Sequence, residues 1–505
     1  MKIIDLLTQN ERTQINKLIS EYEKGDEFEV SMFSTKETGS EMMTMETFNR
    51  LNSVLSIITQ KNEDKYKKES EDILDIIFVI KNLENTEKLE TFRISIKTVK
   101  MINFYMDMLH DQKNSLIFKV LLGYIIDKSN ADSSDRTNLS LIKKIKNFSK
   151  YITLEDFYMK VKLDNETNVS KEEIKKLLEI EKNYDINSYD VLYRFKQRDT
   201  YYILKDKNKF KIDLTKTRTS SHINQLNNAY MKNEMEIECD IQNKSKFVEE
   251  LLEVSEYLIK IVQQTNFIVT KSLNNKIISK YKDILGSTKE TSLYGRKPVS
   301  VEIQHVTDVL PNRYAVTDKA DGDRNQLIIV DGRCYLISMN LLVRDTGIEV
   351  SKKINDSILD GELIYLQKYH KYLYMSFDCL TYGTTNAREE ANMLVRLSLV
   401  DKVIDELNKT EYKHTTTKLN YNNKEELLKY HYEKIVEFYT DIDKEIKKKE
   451  SKIIFRRKYF IECNGISDSE IFAYSTLLWK SITKDANVKC PYLLDGLIYQ
   501  PLDQK

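Results

Sequence analysis

Cysteine, proline and glycine are all scarce in this sequence, and each scarcity removes a class of explanation. The five cysteines (Cys239, Cys334, Cys379, Cys463, Cys490) contain no C-x-x-C pair and the six histidines no zinc spacing, so inert free thiols are expected. Long apolar runs are missing too. Residues 73–80 come closest, but Asp75 interrupts them and they are far too short to cross a bilayer. Asp5 breaks the opening Met1–Asn10, so no secretory leader is expected and the chain reads as soluble and intracellular, with no membrane partner. Charge of one sign is also absent: Lys plus Arg equals Asp plus Glu at 79 each, so any nucleic-acid site must come from local clustering. All four prolines (Pro298, Pro311, Pro491, Pro501) lie from Pro298 onward, which divides the chain into two unlike parts.

The 505 residues, 41% hydrophobic and 31% charged, suffice for two or three globular domains. Strands are expected at 27–33, 74–80, 91–97, 157–163, 191–196, 201–204, 210–215 and 235–241, with a helix over 100–128. A long helical stretch is expected at 244–285. Farther on, 326–330 and 333–338 flank Asp331-Gly332, a tight hairpin turn, and 397–452 reads as charged helices whose lysine run 444–452 is a solvated face.

The strands alternate apolar residues with charges of one sign. Glu27 and Glu29 alternate with Phe28 and Val30; Glu234, Glu236 and Glu238 with Met235 and Ile237. Lys160 and Lys162 flank Val161, while Arg194, Lys196 and Arg198 follow one another at every second position. Residues two apart share a strand face at roughly 7 Å, so these side chains project in rows. One row is only a wet strand; several together imply a barrel charged inside and apolar outside. Carboxylates that converge need a cation, and hard oxygen donors favour Mg²⁺ or Mn²⁺. Converging Arg and Lys would hold a polyphosphate.

Phe28-Glu29, Arg194-Phe-Lys196-Gln-Arg198, Phe210-Lys-Ile-Asp213-Leu-Thr215 and Glu234-Met-Glu236-Ile-Glu238 resemble the metal-dependent RNA triphosphatases of the triphosphate tunnel class. The resemblance covers about 20–245. It implies an eight-stranded antiparallel β-barrel with Glu27, Glu29, Glu236 and Glu238 at the metal. It further implies Arg194, Lys196 and Arg198 on phosphate, Asp213 as a supporting carboxylate, and Arg93, Lys160 and Lys162 as further phosphate contacts.

Four of the twelve glycines directly follow aspartate. Gly332 belongs to the hairpin. The others fall in Lys319-Ala-Asp321-Gly322, Asp360-Gly361-Glu362 and Asp495-Gly496-Leu497-Ile498, with Phe377-Asp378 between the last two. Singly each is a turn signal. In this order they resemble the covalent nucleotidyltransferases, a superfamily of mRNA guanylyltransferases and polynucleotide ligases, which gives Lys319 the role of nucleophile. A lysine attacks phosphorus only as the neutral amine, and a reference pKa of about 10.4 leaves roughly one in a thousand neutral at pH 7.4. Asp318, Asp321 and Asp323 would raise that value, and a divalent cation beside the amine would reverse the field. The same resemblance implies Asp321, Gly322 and Arg324 at the nucleotide, Glu362 on its ribose or the metal, Asp378 as support and Asp495 near metal and phosphate. The stretch 297–305, ending in His305, resembles the lead-in that helps form the base pocket.

Both halves together resemble the viral-type mRNA capping enzymes of poxviruses and giant DNA viruses. The expected fold is α+β: 1–243 a triphosphate tunnel barrel with helices, 244–296 a helical linker, 297–505 a mixed α+β guanylyltransferase domain. The family's following pair of lysines and its OB-fold domain are not in this sequence, so a chain truncated at its C-terminus is expected. A methyltransferase domain or partner subunit would then belong to the longer enzyme. The expected substrates are the RNA 5′ end and GTP, and the expected place of action is the host cytoplasm or the virion. An ATP-dependent polynucleotide ligase using Lys319 and a catalytically decayed RNA-binding scaffold remain alternatives.

Overall fold

Alternation of charged and apolar residues produces one antiparallel sheet in the first of the chain's two compact units, Met1–Gln264 and Thr265–Lys505. The computed structural model describes residues 2–23, 26–32, 43–61, 66–81, 89–111, 123, 139–144, 150–164, 166–170, 172–175, 191–205, 207–286, 292–295, 298–311, 313–409 and 424–503. Phe33 and Lys297, and 112–128 apart from Gly123, lie outside them, as does 410–423.

The first sheet comprises β1 (Glu27–Met32), β2 (Tyr66–Lys81), β3 (Leu89–Lys97), β4 (Leu139–Lys144), β5 (Lys150–Leu154), β6 (Met159–Asp164), β7 (Glu166–Asn168), β8 (Val191–Lys205), β9 (Asn208–Ser220) and β10 (Met231–Asp240). Their order is β5-β6-β1-β10-β9-β8-β2-β3-β4-β7. Ten strands therefore stand where eight were expected. Eight form the run β6 to β4, and short β5 and β7 extend it at either end, pairing the backbone of its outer strands. Among the described residues no strand pair joins β5 to β7. The stretches 191–196 and 201–204, expected as separate strands, are continuous in β8, because Gln197–Thr200 keep the pleat. The strand expected at 157–163 begins two residues later: Tyr158 takes a left-handed conformation (φ 53°) and the strand starts at Met159.

The apolar face of this sheet is packed. Phe28, Val30, Ile237, Phe210 and Ile212 are all buried. The helix Lys244–Gln263 lies on them, its Phe247 stacked on Phe210 at 5.7 Å and edge-on to Phe28 at 5.2 Å. The helical stretch expected over 244–285 is two helices. Gln264 turns left-handed to end the first, and Thr270 caps the second, Lys271–Leu285, by accepting from the amide of Leu273.

The second unit has a six-stranded sheet, β14-β13-β12-β15-β16-β17, made of β12 (Asp323–Val330), β13 (Arg333–Ser338), β14 (Val343–Glu349), β15 (Ile358–Leu366), β16 (Lys371–Thr381) and β17 (Ile453–Arg457). A three-stranded sheet, β18-β11-β19, joins β11 (Tyr314–Ala320), β18 (Ile461–Glu462) and β19 (Leu494–Pro501). The hairpin at Asp331-Gly332 is present, with φ of 53° and 76° at its two turn residues, the left-handed pair a two-residue hairpin requires. Among the described residues only β16–β17 is parallel, and the helices Met393–Asn408 and Lys424–Lys448 lie in its crossover. In the expected lysine run, Lys447 pairs with Asp443 at 2.5 Å within the helix, and Lys371 donates to the carbonyl of Ile446 at 2.6 Å.

Gly361 is not a turn residue. It sits inside β15, where an added Cβ would lie 2.6 Å from the Tyr374 hydroxyl. That hydroxyl accepts from the Leu327 amide at 3.2 Å and lies 3.1 Å from the Leu359 carbonyl, tying β12, β15 and β16 together. Gly361→Ala should displace Tyr374 and destabilise the second unit by about 1–3 kcal/mol, read as a lower denaturant midpoint. An unmoved midpoint would show that the close approach does not matter.

Candidate functional site

Strand register gathers the charged residues of the first unit onto one face. Crossing the sheet, Lys162 faces Glu29, Glu29 faces Glu238, and Glu238 faces Lys211. The next row runs Lys160, Ser31, Glu236, Asp213, Thr200. Glu234, Thr215, Arg198 and Glu71 form a third row. Glu27 lies one step along from Glu29, opposite Asp164. This face is not wet: Asp213 is 2% exposed, Asp75 1% and Lys196 8%. With helices on the opposite face, the sheet carries its charge inside, and charge so placed must be paired.

Most of the pairs are cross-strand. Arg198 meets Asp213 at 2.8 Å and donates to Thr215 at 3.2 Å, while Thr200 donates to Asp213 at 2.7 Å. Arg194 lies 3.0 Å from Glu234, and Lys211 lies 2.6 Å from Glu238 and 3.1 Å from Asp213. Against the penalty of burial, Asp213, Glu236, Glu71 and Asp75 hold the Arg198 guanidinium above its ordinary pKa. Burial also opposes charge on Lys162, yet Asp164, Glu29 and Glu27 outweigh it and raise its pKa. Lys160 reaches the Tyr151 ring.

Asp75, noticed in the sequence only as a break in an apolar run, is part of this site. Its carboxylate lies 2.6 Å from Lys196 and accepts from Ser95 at 2.6 Å. Burial would push Asp75 up, but Lys196, Ser95 and Arg93 prevail and hold it below its ordinary value. Burial lowers Lys196, with Asp75 opposing and Arg194 and Arg198 adding to the fall.

Glu29, Glu236 and Glu238 are oxygen donors of the kind Mg²⁺ or Mn²⁺ takes, and the register puts them on adjacent strands of one face. Two of these side chains stand in an ion pair or hydrogen bond instead: Glu238 leans on Lys211, and Glu29 accepts from Ser31 at 2.8 Å. Among the described residues no three acidic, His or Cys side chains converge as ligands. The backbone arrangement and donor chemistry fit a cation; the side-chain rotamers are those of a charge-paired face.

In the second unit Lys319 stands near the end of β11, opposite β19. The ladder slips between Asp318↔Leu497 and Ala320↔Leu494, and this bulge turns Lys319 onto Asp495, with which it is ion-paired. Gly496 takes φ 123° here, a conformation that favours glycine. The Asp495 hydrogen bond, then the charges of Asp495, Glu362 and Asp321, raise the Lys319 pKa. The expectation that Asp318 would act on the amine is not met: Asp318 is buried away from it, accepting from the Tyr492 hydroxyl at 3.1 Å.

Arg324 forks onto Asp360 at 2.6 and 3.1 Å and faces Glu362 across the ladder. Gly322 packs against β15, where a Cβ would meet the Leu363 carbonyl at 2.9 Å. Asp321 donates its amide to the Leu493 carbonyl at 3.0 Å, fixing the motif beside β19. Asp378 lies across from Asp360 and accepts from Arg396 at 2.8 Å, a support one layer behind Arg324. His305 accepts from the Glu302 amide at 3.0 Å; among the described residues no hydrogen bond joins it to Lys319, Arg324, Glu362 or Asp495.

Lys458 escaped the sequence reading. It is 1% exposed, donates to the Asp318 carbonyl at 2.8 Å and lies 3.1 Å from Glu362, so it links the strand of Lys319 to the carboxylate on β15. In Arg456-Arg457-Lys458 it looks like a surface run, and only burial distinguishes it.

The family model "mRNA capping enzyme, catalytic domain" matches residues 259–456. A probable mRNA-capping enzyme of Acanthamoeba polyphaga mimivirus is 28% identical over 380 residues, covering 74% of this chain and 31% of the relative. The chain thus spans about a third of that relative's length. Among solved structures, the RNA triphosphatase domain of a trifunctional mimivirus mRNA capping enzyme aligns with a TM-score of 0.37 and 22% identity, over 51% of this chain and 98% of that one. The S. pombe Pct1 RNA triphosphatase aligns with a TM-score of 0.28 and 15% identity, over 51% and 90%. Structural likenesses that distant add no weight; the sequence matches carry the assignment. Residues 259–456 thus match the catalytic domain of the mRNA capping enzymes, and the sequence is similar over most of its length to a viral member of that family.

Proposed function

We propose that the chain performs two successive steps at the 5′ end of mRNA, removal of the γ-phosphate and transfer of GMP. The observation that carries the second step is Lys319 held at a bulge against Asp495, with Glu362 and Arg324 on the neighbouring sheet. The buried face of paired charges in the first unit supports the first step.

In the first unit, water attacks the γ-phosphorus, the bond to the β-bridging oxygen breaks, and phosphate leaves a diphosphate-ended RNA. Arg194, Lys196 and Arg198 hold phosphate oxygens; Asp213 and Asp75 orient two of these cations and balance them when phosphate is absent. Lys160, Lys162 and Arg93 extend the cationic surface. A cation held by Glu29, Glu236 and Glu238, with Glu27 beside them, would polarise the γ-phosphate.

In the second unit, the Lys319 amine attacks the α-phosphorus of GTP. A P–N bond forms, pyrophosphate leaves, and the diphosphate end of RNA then displaces the lysine. Asp495 keeps the resting amine protonated. A cation drawn to Asp495 and Glu362 would reverse the local field and release the neutral amine. Arg324, fixed by Asp360, and Gly322 border the nucleotide; His305 borders the base. The match to the capping-enzyme family favours GTP over the ATP of a ligase. Methyl transfer by another domain or a partner subunit, and action in the host cytoplasm or virion, complete the same reading. Among the described residues no helix is long and apolar enough to cross a membrane.

Glu29→Ala or Glu236→Ala should abolish metal-dependent γ-phosphate release from triphosphate-ended RNA while leaving label uptake from GTP intact. Persistent release in both variants would make these rows ordinary paired strand faces. With α-labelled GTP and a divalent cation, an acid-labile, alkali-stable adduct should form and map to Lys319. Lys319→Ala and Lys319→Arg should both lack it, since a guanidinium is never a free nucleophile; a label mapping elsewhere overturns the assignment. Asp495→Asn should separate two properties. Removing the carboxylate that raises the Lys319 pKa lets the amine deprotonate at lower pH, so pH-dependent amine labelling at Lys319 should move down. The GMP adduct should nonetheless weaken. A labelling profile that stays in place would refute control by Asp495.

A further inference from the structure

The polar face of the first unit also carries aromatic rings, which neither phosphate binding nor hydrolysis uses. Tyr151 faces Lys162, and Tyr202 faces Lys211, so one register row runs Tyr151, Lys162, Glu29, Glu238, Lys211, Tyr202. Tyr151 and Tyr202 thus flank the part of the row that contains two of the carboxylates, and Lys67 on β2 continues it beyond Tyr202. Each ring has a lysine ammonium over it: Lys160 at 4.0 Å from the Tyr151 centroid, Lys209 at 4.3 Å from that of Tyr202. Tyr151 is 61% exposed, and Tyr202 is half-buried with its hydroxyl donating to Glu69 at 2.8 Å. Packing does not explain these rings, since the buried apolar side chains Ile152 and Leu154 of β5 and Tyr193, Tyr201 and Ile203 of β8 point to the other face.

We propose that Tyr151 and Tyr202 are stacking platforms for the first nucleosides of the RNA whose triphosphate the face holds, an inference that rests on the triphosphatase reading. An aromatic ring with a cation beside it suits a nucleobase followed by its phosphate: the π-face takes any base, and the ammonium takes the backbone charge. Tyr202 lies four residues from Arg198 on the same face of β8, about 13 Å along the strand. A triphosphate and one ribose bridge that span. The hydroxyl bond to Glu69 fixes the plane of the Tyr202 ring, so little freedom is lost when a base lands on it. Stacking carries no sequence code, which suits an enzyme that meets transcripts of every sequence.

The test compares two substrates on the full chain, a short 5′-triphosphate RNA and inorganic tripolyphosphate, which has phosphates but no base. Tyr202→Leu and Tyr151→Leu should each raise the ratio of KM for RNA to KM for tripolyphosphate about ten-fold. Tyr202→Phe and Tyr151→Phe should restore the wild-type ratio, because the ring and not the hydroxyl does the stacking. A ratio that stays put in both leucine variants overturns the proposal. So does a phenylalanine variant that behaves like leucine, which would assign the role to the hydroxyl contact. If the wild-type chain releases phosphate from neither substrate, the triphosphatase reading itself fails and the platforms fail with it.

Discussion

A carboxylate and a guanidinium brought together away from water, as Asp213 and Arg198 are, set the terms for the whole first unit. A sheet normally hides apolar side chains on one face and wets the other. Here helices take the apolar face, and the charged face is enclosed as well, so each charge must meet an opposite one on a neighbouring strand. Because side chains repeat every two residues, a slip of one residue would turn the charges into the apolar layer and the aromatics into the charged one. The ion pairs thereby hold the register as well as the site. Under the proposed function, a phosphate entering this face would exchange partners with carboxylates already in place, so the cations would need no rearrangement to receive it.

The second unit applies the same constraint to a lysine that, under the proposed function, must change its charge. Lys319 is exposed and salt-bridged, whereas Lys458 is fully enclosed between the Asp318 carbonyl and Glu362. Two lysines near one carboxylate cluster therefore have opposite duties: one fixed, one free to give up its proton. The buried hydroxyls of Tyr492 and Tyr439 lie behind Asp318 and keep that carboxylate off the reactive amine.

How much of this was legible depended on whether a residue announced itself by pattern or by environment. Glu27, Glu29, Glu236 and Glu238 could be read because one-sign alternation is unusual, and the register does put them on a single face. Lys319 could be read because its motif recurs in order with two more Asp-Gly pairs. Those pairs looked alike in sequence and differ in cause: Gly361 makes room for Tyr374, Gly322 packs on β15, and Gly496 adopts a conformation that favours glycine. Asp75 and Lys458 were not legible, since a single carboxylate in an apolar strand and the last of three basic residues have no local signature of their burial. The break between the helices at 264–270 was missed because apolar periodicity runs through it; Thr270, an N-cap, was the available sign.

The single parallel pairing in the second unit, β16 with β17, has a consequence for engineering. Parallel neighbours need a long return path, and the two helices between Thr381 and Ile453 travel along it. Chain added between Asn408 and Lys424 lengthens that path and no strand of the ladder. Its closure entropy grows only by about 0.6 kcal/mol for each doubling of length. A fluorescent or affinity module spliced there would ride on the crossover while Lys319, Glu362 and Asp495 keep their places, a docking point for watching the proposed reaction in real time.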